Sequence, residues 1–149
     1  MQFTYEFELR RGENQWIIEA FDLPGCITQG EDVSDACNSA ADLLREMAWE
    51  ALLKGEDLAD STFGHEPSDR GVLVVVSVEA TLDSLPKVSA SEAARMLNVG
   101  RSRITAMLAA GLLDGWRDGR NTWVTLDSVT ARKEDPRMAG RPRKMLAQS

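Results

Sequence analysis

Four residues with basic or hydroxyl side chains lie close together in the second half of the chain, and their chemistry suits contact with nucleic acid. They are Arg101, Ser102, Arg103 and Thr105. A guanidinium group donates hydrogen bonds to phosphate oxygens and to base edges, and a hydroxyl group binds either. The four residues follow Asn98-Val99-Gly100, which is a turn sequence. This order predicts a helix that begins near Ser102 and carries them at its N-terminal end.

The preceding residues predict that this helix is the second of a pair. Ser89-Ala90-Ser91-Glu92 has the form of a capping box, in which Ser89 accepts from the N–H of Glu92 and the Glu92 side chain returns to the N–H of Ser89. The second helix has its own apolar stripe between Ile104 and Leu112. Two short helices joined by a tight turn form a helix-turn-helix, whose second helix lies in the major groove of DNA. The alternative is a pair of core helices without DNA contact.

A basic hairpin is predicted after the second helix. Gly111 is available as a left-handed cap at the helix end. Asp118-Gly119 is a two-residue turn signal within the segment 116–124, and apolar or aromatic positions flank it. Arg117 and Arg120 lie on this hairpin, from which we expect them to contact phosphates or the minor groove.

This part of the chain resembles the small winged helix-turn-helix of MerR-type regulators and phage excisionases. The resemblance rests on three segments, Leu97–Ile104, Gly111-Leu112-Leu113 and Asn121–Thr125. It implies a winged helix-turn-helix that binds double-stranded DNA. The family usually has Ser or Thr where Gly100 stands, so the second helix here lacks a hydroxyl cap.

The charges of the chain are divided between its two halves. Residues 1–83 contain 5 basic and 18 acidic residues, a net charge of −13, whereas residues 84–149 contain 12 basic and 6 acidic residues, a net charge of +6. Such asymmetry indicates two domains with differently charged partners. The basic half suits a polyanion, and the acidic half suits a basic protein surface. The alternative for the acidic half is a solvated surface that serves solubility.

The acidic half predicts the element order β-β-β-α-β. Residues 3–9 alternate apolar and polar side chains, residues 16–21 form a second strand, and Cys26-Ile27-Thr28 forms a short third one. A long helix follows, with Asp32 as its N-cap and Lys54-Gly55 at its end. After a polar loop from residue 56 to 71, residues 72–78 form a β-branched strand. This strand is apolar at consecutive positions, so we expect the helix on one face and a second subunit on the other.

The acidic half resembles the HicB antitoxin family. The resemblance is carried by the run Asp22-Leu23-Pro24-Gly25-Cys26-Ile27-Thr28-Gln29-Gly30-Glu31 and by Ala36 and Ala40 of the long helix. It implies a partial ribonuclease H-like fold that binds and blocks a small basic RNA-cleaving toxin of the HicA type. It also implies a C-terminal DNA-binding domain that represses the protein's own operon.

The catalytic potential of the acidic half depends on Glu6, Glu8, Glu19 and Asp22. A ribonuclease H reaction needs clustered carboxylates that hold two metal ions. Alternation along the first strand turns Glu6 and Glu8 away from the aromatic face, so we expect them on the surface and expect no catalysis. His65 stands in a polar loop and is interpreted as a surface residue. No cofactor or metal site is indicated, and Cys26 and Cys37 are interpreted as small buried apolar residues.

The patterns predict an α+β protein with an N-terminal β-β-β-α-β domain and a small C-terminal winged helix-turn-helix, and the HicB resemblance implies that the N-terminal domain has a partial ribonuclease H-like fold. The expected segments are an antitoxin and dimerisation domain at 1–80, a linker at 81–88, a DNA-binding domain at 89–135 and a basic tail at 136–149. Gly140-Arg141-Pro142 in the tail resembles an AT-hook core, so Arg141 and Arg143 are further DNA-binding candidates. The alternative is a disordered tail with non-specific phosphate contacts.

The sequence therefore predicts a DNA-binding repressor of antitoxin type that forms a homodimer or a higher even oligomer. Two other functions remain open, namely an orphan DNA-binding regulator without a toxin and a degenerate ribonuclease H-like nuclease. The N-terminus lacks the form of a signal peptide and no apolar run approaches the ~20 residues of a membrane helix, so we expect a cytoplasmic protein without membrane contact.

Overall fold

The computed structural model describes residues 1–134, which fall into two units. The first unit spans Met1–Ser84 and the second begins at Leu85. The basic tail at 136–149, with Arg141 and Arg143, lies outside the described residues. No helix within residues 1–134 is long and apolar enough to cross a membrane.

The first unit has the β-β-β-α-β order that the sequence predicts. Its elements are β1 (Gln2–Arg11), β2 (Trp16–Ala20), β3 (Ile27–Gly30), α1 (Val33–Lys54) and β4 (Val72–Glu79). The strands form one antiparallel sheet in the order β3-β2-β1-β4, so β1 pairs with both β2 and β4. A short 3₁₀ turn at Leu82–Ser84 closes the unit.

Helix α1 begins and ends where the sequence predicts. The Asp32 side chain accepts from the N–H of Asp35 at 2.7 Å, and Gly55 ends the helix in the left-handed conformation. The buried face of α1 consists mainly of small residues, namely Ala36, Ala40, Leu44, Ala48 and Ala51. Small side chains allow a helix to approach a sheet closely, and Gly30 of β3 shows how closely. A Cβ atom on Gly30 would lie 2.2 Å from the backbone nitrogen of Ala36.

The core of the first unit lies between α1 and one face of the sheet. The fully buried Phe7, Ile18 and Leu44 meet there, and Tyr5 and Leu9 line the same face of β1. Cys26 is completely buried beside them, and burial raises the pKa of its thiol to about 11. Its interpretation as a small apolar core residue is confirmed, while Cys37 is only half-buried.

Strand β4 is less buried than its apolar sequence predicts. Val76 and Val78 face the core, but Val72 and Val75 are 54% and 56% exposed. Within residues 1–134, the expectation that both faces of this strand are covered therefore does not hold along its whole length. The second subunit that the sequence predicts on this face remains a prediction.

The second unit is also α+β. Its elements are β5 (Lys87–Ser89), α2 (Ala90–Leu97), α3 (Arg101–Ala109), β6 (Gly115–Asp118), β7 (Asn121–Thr125) and α4 (Leu126–Glu134). The three strands form an antiparallel sheet in the order β5-β7-β6. The three helices and the sheet share one hydrophobic core, in which the completely buried residues include Ala93, Ile104, Val124 and Val129.

Strand β5 lies in the segment that the sequence identifies as a linker. Val88 pairs with Val124, and the Lys87 ammonium lies 5.3 Å from the centre of the Trp123 ring. Three residues are too short to show the alternating pattern of a strand. Their pairing with β7, more than thirty residues later, is a tertiary feature that local sequence does not encode.

The hairpin between β6 and β7 turns one residue later than its sequence predicts. Asp118 pairs with Asn121, so the two loop residues are Gly119 and Arg120 instead of Asp118 and Gly119. Gly119 has φ +62°, and Arg120 is not among the residues with positive φ. This is the pattern of a type II′ turn, which requires glycine at its first central position. Arg120 is thereby placed at the tip of the hairpin.

The turn between α2 and α3 leaves the start of α3 without a side-chain cap. The Ser89 hydroxyl caps α2 by accepting from the N–H of Glu92 at 3.0 Å, although the Glu92 carboxylate accepts from Arg95 instead of returning to Ser89. Asn98 ends α2 in the left-handed conformation at φ +57°. Gly100 is the N-cap of α3 with φ −78° and has no side chain to accept a hydrogen bond.

We predict that Gly100→Ser stabilises the second unit by about 0.5–1 kcal/mol, because serine supplies a cap acceptor and restricts the unfolded chain. A Cβ atom at this position meets nothing within 4 Å and the backbone is already in an ordinary conformation, so no strain opposes the change. Amide hydrogen exchange in α3 measures the effect. Gly100→Ala is the matched control, since alanine restricts the chain but is a poor cap. Equal protection in the two variants would contradict the capping explanation.

Candidate functional site

Helix α3 presents the basic and hydroxyl residues singled out in the sequence on its outer surface. Ile104 and Met107 are buried against α2 and fix the rotation of the helix. Arg101, Ser102, Arg103 and Thr105 are all exposed. Since each residue turns a helix by about 100°, Arg101 and Arg103 lie about 200° apart, on opposite edges of the exposed face. The structure therefore brings the four residues to one surface but separates the two arginines.

The β6–β7 hairpin lies beside one edge of this face. Arg117 and Arg120 are exposed on it. A cavity of about 470 Å³ separates the hairpin from α3, and its lining includes Thr105, Trp116 and Arg117. Arg101 is four residues before Thr105 and shares its side of the helix. Two arginines, one from the helix and one from the hairpin, therefore flank the same surface.

A second cavity lies on the other edge of α3 and contains two basic residues that the sequence did not identify. Its volume is about 260 Å³, and Arg103, Arg132 and Lys133 are among its lining residues. Arg132 is only 8% exposed; burial lowers the pKa of its guanidinium, and the nearby Arg103 lowers it further. Arg132 and Lys133 lie in the last turn of α4, where basic residues are usual because the helix dipole is negative at its C-terminal end. Arg132 and Lys133 come close to Arg103 of α3 because α4 packs against α2, and the sequence does not indicate this packing.

In the first unit, Glu6 and Glu8 are buried, which contradicts their interpretation as surface residues. They are 6% and 8% exposed. Alternation places them on the sheet face opposite α1, as predicted, but the part of the loop around His65 and Ser68 lies over that face. Glu6 Oε1 accepts from the backbone N–H of His65 at 2.9 Å and lies 2.7 Å from its Nδ1. The sequence indicates the face correctly and does not indicate what covers it.

His65 is also not a plain surface residue. Its ring stacks on Phe21 with the ring centres 4.2 Å apart, and its Nε2 lies 2.9 Å from the Thr62 hydroxyl. Asp22, two residues after the end of β2, accepts from the backbone N–H of Thr62 at 2.6 Å and lies 3.7 Å from His65 Nε2. His65 therefore joins the loop to one carboxylate within β1 and to another that follows β2.

Glu8 forms the second attachment of the loop. Its Oε2 accepts from both the backbone N–H and the hydroxyl of Ser68, and its Oε1 accepts from Arg10 at 3.2 Å. Arg10 also lies 3.2 Å from Glu19. The hydrogen bond from the Ser68 side chain is the main cause that lowers the pKa of Glu8, and the backbone N–H of His65 is the main cause for Glu6. The backbone N–H of Thr62 similarly lowers the pKa of Asp22.

These carboxylates act as acceptors for the loop and do not assemble a metal centre. Each of the three is engaged by a backbone N–H of a different loop residue. Among residues 1–134, no group of three His, Cys, Asp or Glu side chains is placed to bind a metal ion. The geometry of the described residues therefore supplies a means of fixing the loop.

Comparison with known proteins yields similarity of fold alone. No protein-family model matches the sequence, and no curated protein matches it. The fold is similar to a chain of the "HicA3 and HicB3 toxin-antitoxin complex", at 16% identity and a TM-score of 0.40, over 53% of this chain and 99% of that chain. It is also similar to a chain of a toxin–antitoxin complex from Streptococcus pneumoniae, at 16% identity and a TM-score of 0.48, over 74% of this chain and 99% of that chain. Similarity at this level carries no information about the site.

We predict that acid weakens the attachment of the loop. Glutamate has an ordinary pKa of 4.5, and the folded values of Glu6 and Glu8 are lower. The stabilisation is therefore complete above pH 4.5 and is lost as the pH falls through the folded values. Glu8→Gln should lower the free energy of unfolding at pH 7 by about 1–3 kcal/mol, because a hydrogen-bonded charge is lost. Urea unfolding at pH 7 and pH 4 measures both effects.

The matched control for this prediction is Glu13→Gln, which removes the same charge from the exposed turn between β1 and β2. It should leave the unfolding free energy at pH 7 nearly unchanged. If Glu8→Gln and Glu13→Gln have the same stability and the same acid sensitivity, Glu8 does not hold the loop.

Proposed function

We propose that the second unit binds double-stranded DNA as a winged helix-turn-helix and that the chain is a transcriptional repressor of antitoxin type. The observation that carries this proposal is the exposed face of α3, where Arg101, Ser102, Arg103 and Thr105 project from a helix fixed by its buried side. In a helix-turn-helix, such residues at the N-terminal end of the second helix meet base edges and phosphates.

The order of elements supports the same function. Helices α2 and α3 are joined by a three-residue turn, and the β6–β7 hairpin follows with Arg120 at its tip. A hairpin in this position is a wing, and Arg117 and Arg120 supply donors that suit phosphates or the minor groove. The described part of the second unit, residues 85–134, contains 8 basic and 5 acidic residues, which suits a polyanionic partner.

The first unit is proposed to form the homodimer, or a higher even oligomer, and to bind a HicA-like toxin. Its net charge of −13 favours a basic protein partner, and the segment from Asp22 to Glu31 carries the HicB resemblance. The half-exposed Val72 and Val75 of β4 offer apolar surface to a second subunit. A two-fold dimer would place two second helices on paired half-sites, which is the usual source of operator affinity.

We predict that the full chain binds the duplex that precedes its own reading frame and that the logarithm of its affinity falls linearly with the logarithm of salt concentration. Arg101→Gln should weaken this binding by about 1–3 kcal/mol, because a base-contacting arginine is lost. Fluorescence anisotropy across a salt series measures both quantities. Arg45→Gln, which removes one positive charge from α1, is the control and should bind like the unsubstituted chain. Unchanged affinity of Arg101→Gln would remove this residue from the interface.

The toxin partner is tested by co-expression with the neighbouring reading frame. We expect a small basic protein to co-purify with the full chain, and we expect high salt to weaken the complex because opposite charges contribute to it. A neighbour that elutes separately at low salt would contradict the antitoxin function while leaving the DNA-binding function intact. That outcome would identify the chain as a regulator without a toxin.

A further inference from the structure

The basic cavity beside α3 has a composition that suits an oxyanion. We define it by its lining residues, namely Met96, Leu97, Asn98, Val99, Arg103, Met107, Arg132 and Lys133. Three of these residues are cationic, one is an amide, and none is a carboxylate. The cavity volume of about 260 Å³ exceeds the ~30 Å³ that one water molecule occupies in the liquid, so a hydrated tetrahedral anion can enter.

Two of the positive charges of the basic cavity, those of Arg103 and Arg132, repel each other. Arg132 is almost fully buried, and Arg103 from another helix lies close enough to disfavour its charged form. An anion with several oxygens offsets this repulsion, because guanidinium groups form charge-assisted, often bidentate hydrogen bonds with phosphate.

We propose that the basic cavity binds one phosphate group of the DNA backbone, held by Arg103, Arg132 and Lys133. This inference rests on the proposed DNA binding and names the part of the DNA that this site takes. It assigns Arg103 to the backbone and leaves base contact to the other exposed residues of α3. Arg132 and Lys133, which belong to the last turn of α4, become part of the nucleic-acid interface.

The position of the basic cavity in the fold favours a backbone phosphate over a base. Asn98 and Val99 belong to the turn between α2 and α3 and form part of its lining. When the second helix of a helix-turn-helix occupies the major groove, the first helix crosses the sugar-phosphate backbone. The turn between the two helices therefore lies near the groove edge, where phosphates and not base edges are within reach.

The rotation of α3 leads to the same assignment. Arg103 lies on the edge of the exposed face that meets α4, whereas Arg101 lies about 200° away, on the side of Thr105 and the hairpin. One base pair cannot be contacted from both edges of a helix. Arg103, on the edge near α4, is instead suited to the strand that borders the groove, and base contact is left to Arg101 and Ser102.

The experiment compares the full chain with Arg103→Gln and Lys133→Gln on two duplexes, its own upstream DNA and an unrelated sequence of equal length. Both side chains are exposed, so each variant is expected to fold. We expect each substitution to weaken binding to both duplexes by the same factor, about five- to tenfold at 0.1 M salt, and to reduce the magnitude of the salt slope by about 1. Arg103→Lys should retain the slope. Lys54→Gln, at the end of α1, is the matched control for Lys133→Gln.

Titration of the DNA-free chain with inorganic phosphate distinguishes the two sources of the anion. Binding of inorganic phosphate that Arg103→Gln abolishes, together with an unchanged salt slope, would assign the site to a free anion and overturn the proposal. Loss of affinity on the upstream DNA alone would also overturn it, because Arg103 would then read a base. If the unsubstituted chain shows no salt-dependent DNA binding, the proposed function itself fails; the other two outcomes reject only the phosphate assignment.

Discussion

The first unit depends on the satisfaction of two carboxylates that β1 places inside the protein. A buried charge is costly unless it is hydrogen-bonded, and the loop of residues 56–71 supplies the donors through the backbone of His65 and Ser68. Because β1 is paired on both sides, Glu6 and Glu8 cannot turn to solvent without displacing this loop. The segment of the loop around His65 and Ser68 is thus a covering layer on the face of the sheet that carries Glu6 and Glu8.

Periodicity and capping predicted most of this fold because both are local. The alternation in β1 and the caps Asp32 and Gly55 define their elements within a few residues, and the structure contains those elements. Alternation also assigned Glu6 and Glu8 to the correct face. It could not predict their burial, since that depends on where a loop some sixty residues later returns to the sheet. His65 was misinterpreted for the same reason.

In the second unit, too, local sequence predicted only part of the group of basic residues around α3. The apolar stripe of α3 fixes which residues point outward, so the exposure of Arg101 and Arg103 followed from the sequence. Arg132 stands 29 positions after Arg103, and the two share a cavity only because α4 packs against α2. Basic residues at a helix end have a local explanation in the helix dipole, so no local signal distinguishes a residue that also serves a site.

The division of charge makes local placement more important than net charge. A first unit with a net charge of −13 opposes the approach of DNA, yet charges farther apart than the Debye length of ~8–10 Å are largely screened at physiological salt. Attraction must then come from cations that lie within that distance of phosphates. In the DNA complex that we propose, Arg117 would provide such a cation on one side of α3, and Arg103 and Lys133 would provide them on the other. If the second unit binds DNA as we propose, its affinity comes from a few positioned side chains and does not depend on the net charge of the chain.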